Sequence, residues 1–344
     1  MSDGQLRVGV AGCGRIARVL HIPGYARSSR AQVVALYNHR RETAEDLCDE
    51  DPQAEFFDDY DSFLREGDVE AISICTPNVL HAPMAVEALK RGIHVLVEKP
   101  MAVSLVEAKA MIEASHESGA VLMVGQTQRY MPCHQKAQEI IRGGTLGRLF
   151  QVRVAFGHAG PLKWSDGSRW FITASLAGTG VIGDLAVHKA DLIRFLTGQE
   201  IESVAAFKAG FETEEVEDNA VAVLRLADGT LATLSASWTT RGGSIDSTVL
   251  IGEKGSLRIG TEPGAPLVLY EASGKRVSYQ VPAGIPKLDG VDQLDEVPEF
   301  VEAVLGKRPN PIPGEEGYRA LEICLAIDQS ARAGRVVSLP LPVD

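Results

Sequence analysis

The sequence predicts an α/β protein in two parts, on three observations. Over the first third, short Val- and Ile-rich runs alternate with helical patterns. A glycine-rich turn, Gly12-Cys13-Gly14-Arg15-Ile16-Ala17, directly follows the first apolar run. After about residue 126 the pattern changes to alternating runs joined by turn residues, which predicts an antiparallel or mixed sheet.

In the first part, strands are expected at Leu6–Ala11, Gln32–Tyr37, Ala71–Cys75, His94–Val97 and Val121–Val124. Their near-continuous apolar character fits a parallel sheet covered on both faces. Helices are expected at Ala82–Arg91 and Ser104–Ser118, the second opened by a capping box of Ser104 and Glu107. In the second part, Leu149–Phe156 alternates with period two. Ala220–Leu226 and Thr230–Trp238 flank the hairpin turn Asp228-Gly229. Thr248–Gly252 and Ser256–Ile259 flank Glu253-Lys254-Gly255, and Leu267–Tyr270 and Arg276–Gln280 flank a turn with Gly274. Helices are expected at Gly183–Leu196, near Gln293–Leu305 and at Glu315–Arg332. The acidic stretches Glu212–Asp218 and Asp289–Glu299 read as solvated faces.

Composition narrows the classes. The chain has 344 residues, and 34 Lys+Arg against 46 Asp+Glu give a net charge of −12. That disfavours nucleic acid or an anionic membrane as partner. A hydrophobic content of 45% is enough for two cores. Cys13, Cys48, Cys75, Cys133 and Cys324 are scattered and form no CxxC, so neither a disulfide framework nor a zinc ribbon is expected and a reducing compartment is. The opening Met1-Ser2-Asp3-Gly4-Gln5 has no basic and apolar regions of a secretory signal, and no apolar run approaches about 20 residues. A cytoplasmic enzyme is the resulting expectation.

The glycine-rich turn has the context of a dinucleotide site. Gly12 permits a tight turn, Gly14 lets the backbone approach a pyrophosphate, and Ala17 permits close helix–strand packing. Arg15 and Ile16 lie in the first helical turn, whose N–H groups face the phosphates. The second strand should end in an acid that binds the adenosine ribose, but this chain has Asn38. Without a carboxylate there, a 2′-phosphate is not repelled, and His39, Arg40 or Arg41 can pair with it. The expectation is therefore NAD(P)(H), leaning to NADP(H).

Further motifs follow in order: Thr76-Pro77-Asn78-Val79-Leu80-His81, His94-Val95-Leu96-Val97-Glu98-Lys99-Pro100, Gln128-Arg129-Tyr130, Gly143-Gly144-Thr145-Leu146-Gly147-Arg148, and Gly178-Thr179-Gly180 running through Asp184 and His188 to Asp191. Together they resemble the Gfo/Idh/MocA oxidoreductases, from residue 6 to about 339. The combination of Glu98-Lys99-Pro100 with Asp184-x-x-x-His188 is the specific part. The resemblance implies an N-terminal Rossmann domain, 1–126, binding the dinucleotide. It implies a C-terminal α/β domain, 127–344, with a large, mostly antiparallel open sheet for substrate binding and oligomerisation, in a homodimer or homotetramer. It implies a cis bond before Pro100 and places Thr76, Asn78, His81, Glu98, Lys99 and Gln126 near the cofactor. Asn38 departs from the family pattern, as does Gly178-Thr179-Gly180 where many members have three glycines.

Asp184, His188 and Asp191 stand at i, i+4 and i+7, within about 60° of one another on an α-helix, beside a stripe of Leu185, Leu192 and Leu196. The expected reaction is hydride transfer between nicotinamide and a secondary alcohol or ketone of a sugar, inositol or related polyol. His188 would carry the proton, Lys99 would stabilise the reacting oxygen, and Asp184 would orient His188 or bind a hydroxyl. Arg129, His158, Lys163, Trp164, Arg169 and Trp170 are further candidates for binding a small polyhydroxylated substrate. The last five lie in the long segment Gly157–Gly180, whose aromatic content suits a sugar ring. No metal is expected. A cofactor-recycling glycosidase or lyase on the same scaffold, and a non-catalytic nucleotide-binding sensor, are the alternatives. Intact Lys99, Asp184 and His188 weigh against the sensor.

Overall fold

The computed structural model describes residues 4–44, 47, 54–165, 167–281 and 294–342. Met1 to Asp3, Cys48, and residues 289–293 of the second acidic stretch and its helix lie outside the described residues.

The chain forms two compact units, Met1–Gln126 with Leu288–Tyr318, and Thr127–Lys287 with Arg319–Asp344. The expected contiguous division differs from this after the first boundary, because the chain returns to the first unit. The returning helix, Glu296–Val304, buries Val297 and Phe300. Val297 lies against Gly24 so closely that a Cβ on Gly24 would stand 2.6 Å from its Cβ. Val124 N–H donates to the Ile312 carbonyl at 3.0 Å, and Arg30 pairs with Glu302 at 2.6 Å. Periodicity identifies such a helix as amphipathic but does not say which core its apolar face covers.

Among the described residues, the first unit holds a six-stranded parallel sheet: β1 (Leu6–Ala11), β2 (Ala31–Tyr37), β3 (Glu55–Phe57), β4 (Ala71–Ile74), β5 (His94–Glu98) and β6 (Leu122–Gly125). Its order, β3-β2-β1-β4-β5-β6, is the doubly wound order, with ligands expected beyond the carboxyl ends of the strands. The five predicted strands are present, the first with the expected ends and the others with ends shifted by one residue. The three-residue β3 was too short to show a period. The predicted capping box is built with a shift: Ser104 Oγ accepts from Glu107 N–H at 3.2 Å, but the Glu107 carboxylate returns to Val103 N–H at 3.1 Å.

The second unit holds β7 (Leu149–Gly157), β8 (Ile201–Ala209), β9 (Asn219–Leu226), β10 (Leu231–Ser237), β11 (Ile245–Gly252), β12 (Gly255–Glu262), β13 (Ala265–Glu271), β14 (Arg276–Tyr279) and β15 (Val337–Ser338). They form one sheet, β14-β13-β12-β11-β7-β10-β9-β8-β15. Neighbours are antiparallel except β7 and β10, which pair in parallel with Ser237 opposite Gly157. The three expected hairpins are β9–β10, β11–β12 and β13–β14. Strand β8 escaped prediction because its Ala-rich sequence has weak alternation, and β15 has only two residues.

Both helices that follow glycine-rich turns begin with a widened turn. Ile22 N–H bonds to the Ala17 carbonyl, and Val187 N–H to the Ile182 carbonyl, each five residues back. These π-turns span Ala17–His21 and Ile182–Ala186, and continue into α-helices Ile22–Ala26 and Val187–Thr197. Insertions of this kind accumulate at functional sites. Among the described residues no helix is long and apolar enough to cross a membrane.

Candidate active site

In the first unit, Gly12 has φ +92°, and a Cβ there would stand 2.7 Å from the backbone carbonyl of Cys75. No other residue fits this turn. A Cβ on Gly14 would meet nothing within 4 Å, so the space before the first helical turn is open. Ala17 is fully buried, as close helix packing requires, while Arg15 and Ile16 are half-buried. Asn38 Oδ1 accepts from Cys13 N–H at 3.4 Å, and its Nδ2 donates to the Arg40 carbonyl at 2.8 Å. His39 and Arg40 are exposed, and the Arg41 guanidinium lies 4.9 Å from the centre of the Phe56 ring. Gln126 is fully buried, and neither of its amide atoms has a hydrogen-bond partner within the described residues. An open pyrophosphate position and an unpaired buried amide at the end of β6 fit a dinucleotide.

Two expected cofactor residues have other engagements. The Thr76 hydroxyl faces Met84 Sδ at 3.7 Å. His81 is buried, with Nδ1 2.8 Å from the Pro100 carbonyl and Nε2 2.8 Å from the Thr76 carbonyl. Burial pushes its imidazole below the ordinary range, against the pull of both carbonyls. His81 thus lies between the chain after β5 and the chain after β4, and its neutral ring donates to one of the two carbonyls. Asn78 is buried in the turn between Thr76 and His81. The peptide bond between Lys99 and Pro100 is cis.

In the second unit, the turn before the Asp184 helix is held by Glu217. Its Oε1 accepts from Gly180 N–H at 2.7 Å and Ile182 N–H at 3.2 Å, while its backbone carbonyl accepts from Val181 N–H at 2.9 Å. A Cβ on Gly180 would stand 2.0 Å from that carbonyl oxygen. Asp218 is also buried and accepts from the N–H groups of Phe211, Glu212 and Thr213. Burial would raise its carboxyl, but these donors with Asn219 hold it below the ordinary range. The end of the Glu212–Asp218 stretch is thus internal scaffolding rather than a solvated face.

The expected polar row begins in the π-turn, which changes the spacing of 100° per residue between Asp184 and His188. Asp184 Oδ2 accepts from Trp238 Nε1–H at 3.0 Å and lies 4.0 Å from His158 Nε2. The His188 ring packs 5.9 Å from the Phe156 ring. Asp191 takes a bidentate pair from Arg129 at 2.7 and 2.5 Å, and Arg129 also lies over Phe195. Arg129, expected at the substrate, is thus held by a buried carboxylate. The parallel pairing of β7 and β10 explains the Asp184 contacts, since it delivers His158 and Trp238 from adjacent strand ends. Gly160 N–H donates to His158 Nδ1 at 3.0 Å, which leaves the His158 proton on Nε2, facing Asp184.

Beyond β7, Trp164 packs edge-on against His158 at 6.1 Å and Phe171 at 5.0 Å, and Trp170 stacks on Phe171 at 3.7 Å. Phe171, Phe156, Trp238 and Glu217 were missed in the sequence. Trp238 and Phe156 read as strand ends, and only the pairing of β7 with β10 reveals their position. Lys163 and Arg169 are in the same segment, each in or next to a short 3₁₀ turn.

Comparison with known proteins agrees with this architecture. Residues 6–126 match the oxidoreductase family with an NAD-binding Rossmann fold, and residues 134–258 match the GFO/IDH/MocA C-terminal domain. The UDP-N-acetylglucosamine 3-dehydrogenase of Acidithiobacillus ferrooxidans is 30% identical over 96% of this chain and 98% of its own. The 1,5-anhydro-D-fructose reductase of Ensifer adhaerens is 28% identical over 97% and 98%. The crystal structure of the WlbA dehydrogenase from Bordetella pertussis, in complex with NADH and UDP-GlcNAcA, superposes with a TM-score of 0.86 at 28% identity, over 98% of this chain and all of that one. The chain belongs to the Gfo/Idh/MocA oxidoreductases, enzymes with an NAD(P)-binding Rossmann domain.

The packing behind His188 generates a test of stability. Lys189 is fully buried beside it, with Nζ 2.5 Å from Asp246 and 3.1 Å from Gln128. His134 Nδ1 lies 2.7 Å from the Gln128 carbonyl. Burial, then the Lys189 charge, push the His134 imidazole down to about 4. It is therefore neutral in the folded chain and takes up a proton near pH ~6.5 when unfolded. Stability falls as pH drops from about 6.5 to 4, by at most about 3 kcal/mol from this group. Denaturant unfolding at pH 7 and pH 5 is expected to show a smaller acid loss in His134→Gln than in the parent. Equal losses would remove His134 as the cause.

Proposed function

We propose that the enzyme transfers a hydride between nicotinamide and a secondary alcohol or ketone of a sugar, inositol or related polyol. The observation that carries this reading is the Asp184 constellation: a carboxylate shared by Trp238 and His158, with His188 one turn on and an aromatic cluster beside it. Ring faces and hydrogen-bonding groups of both kinds suit a polyhydroxylated ring. The named activities of the relatives, on sugars, support the same class.

When bound, nicotinamide supplies the hydride acceptor or donor. Gly12, Gly14, Arg15 and Ile16 would hold its pyrophosphate, Asn38, His39 and Arg40 its adenosine ribose, and Gln126 its nicotinamide end. Lys99 hydrogen-bonds the reacting oxygen and stabilises its developing charge. His188 takes the hydroxyl proton in oxidation and returns it in reduction. Asp184 fixes the substrate or His188, and Trp164 and Trp170 present ring surface. Thr76, Asn78 and His81 act by shaping the loop after β4, and Arg129 by anchoring the His188 helix through Asp191.

His188→Ala is expected to cut kcat about 10²–10⁴-fold with cofactor affinity retained. Lys99→Ala should lose a comparable factor that persists at saturating cofactor. Near-parental turnover in either variant would overturn its role. A panel of aldoses, keto sugars and inositols identifies the substrate. Net accumulation of reduced cofactor separates a dehydrogenase from a cofactor-recycling lyase.

We infer a preference for NADP(H), supported by the neutral Asn38 amide and exposed His39 and Arg40 beside the glycine-rich turn. Fluorescence titration should give a Kd for NADPH about tenfold below that for NADH, equivalent to about 1.4 kcal/mol. Asn38→Asp should reverse the order. Tighter NADH binding by the parent sinks the preference.

We further propose a homo-oligomer that covers the outer face of the nine-stranded sheet. Phe207, Val221 and Val223 are 81%, 55% and 51% exposed, and Phe207 pairs across from Val221. A contiguous apolar face of this kind favours association with a second copy. Light scattering should show a dimer or tetramer that Val221→Glu shifts toward the monomer mass. A monomeric parent protein would reject this arrangement.

A further inference from the structure

A buried polar chain ends at the backbone of Lys99. The His21 ring, the last residue of the first π-turn, is fully buried, with Nε2 3.0 Å from Glu98 Oε1 and Nδ1 2.8 Å from Ser73 Oγ. Ser73 Oγ is also 2.8 Å from Tyr25 OH. The second Glu98 oxygen, Oε2, accepts from Lys99 N–H at 3.2 Å. Every side chain in this chain is less than a tenth exposed.

Donor and acceptor accounting fixes the direction at the Glu98 end of the chain. Burial would raise the Glu98 carboxyl, but His21 and then the Lys99 charge hold it below the ordinary carboxylate range, so it accepts only. His21 Nε2 must then carry a proton. Burial raises the Tyr25 phenol, so Tyr25 stays a donor. His21 Nε2–H donates to Glu98, while the Ser73 hydroxyl lies between His21 Nδ1 and Tyr25 OH and backs the ring from its other side. The groups facing Glu98 are His21 from the first helix, Lys99 on its own strand, His81 from the helix after β4, and Cys75 at the end of β4. Glu296, from the returning helix, acts on Cys75 and Tyr25. Gly125 on β6 leaves room for the carboxylate, since a Cβ there would stand 3.4 Å from Glu98 Cδ.

We propose that His21, backed by Ser73 and Tyr25, is a positioning residue for Lys99: its Nε2–H holds the Glu98 carboxylate against the Lys99 N–H and so fixes the backbone that carries the reacting ammonium. From the other side, His81 Nδ1 lies 2.8 Å from the Pro100 carbonyl. The inference rests on the assignment of Lys99 to the reaction. Removing the His21 donor leaves a buried carboxylate with one main-chain donor, and its affinity for a proton rises. As pH falls Glu98 protonates more readily than in the parent, and its hold on the Lys99 N–H weakens.

Two measurements test this. In the cofactor-free protein labelled with ¹⁵N-histidine, the His21 signals, assigned by their loss in His21→Gln, should show a proton on Nε2, hydrogen-bonded to Glu98. A ring without a proton on Nε2 overturns the chain. In kinetics on the best substrate from the sugar panel, His21→Leu should lose about tenfold in kcat and gain an acid-side limb, activity falling as pH drops from 8 to 6. His21→Gln, whose amide can donate to Glu98 and accept from Ser73, should recover most of the turnover and the parental acid side. If both variants share one pH profile, His21 is only a packing residue. Failure of the underlying assignment is read separately, as near-parental turnover in Lys99→Ala while the His21 Nε2 proton stands.

Discussion

Buried carboxylates that accept main-chain N–H groups hold the chain where the candidate catalytic residues sit. Glu217 accepts from Gly180 and Ile182, and Gly180 is the only residue type that fits against its carbonyl. Without that acceptor, the first N–H groups of the Asp184 helix would be buried and unpaired, which costs about 1–3 kcal/mol each. Glu98 does the same at Lys99, two strands from the glycine-rich turn. In both places a side chain supplies what regular structure cannot, because the backbone there leaves the strand or has not yet entered the helix.

The same requirement governs the charges around them. The Val187–Thr197 helix is buried along its length, yet it carries Lys189, Asp191 and Arg194. Each is paired, with Asp246, Arg129 and Glu200 respectively. The Arg129–Asp191 pair is buried on both sides; such a pair contributes little net stability, but breaking it leaves an uncompensated charge at a cost of about 3–5 kcal/mol. The effect of these pairs is to fix the rotation of the helix, and with it the stations of Asp184 and His188. The π-turns act alongside them by placing one extra residue in the first turn. His21 and Asp184 both lie in such turns, one reaching Glu98 and the other Trp238.

Much of the first unit was legible because its signals are local. The glycine-rich turn, the apolar strands and the Ser104 cap each depend on residues a few positions apart. Less of the second site was legible. Asp184, His188 and Asp191 were singled out on the spacing of an unbroken α-helix, and the π-turn at Ile182–Ala186 could not be foreseen. Glu217 looked like one more residue of an acidic run, and His21 like one more helical residue. Nothing near either in sequence distinguishes a buried acceptor from a solvated charge, since that depends on strands arriving from elsewhere.

By itself the sequence determined the two-part α/β plan, the dinucleotide turn and the hairpins, and it singled out Lys99, Asp184 and His188 as candidates. These follow from periodicity, turn chemistry and motif spacing, which act over a handful of residues. Only the tertiary structure decided that β7 and β10 pair in parallel, that the helix at Glu296 returns to the first unit, and that Arg129 serves Asp191. It also joined His21 to Glu98 across 77 positions. Such choices are made by long-range burial: each polar group enclosed by packing must find a partner, and which partner is near is set by the fold as a whole.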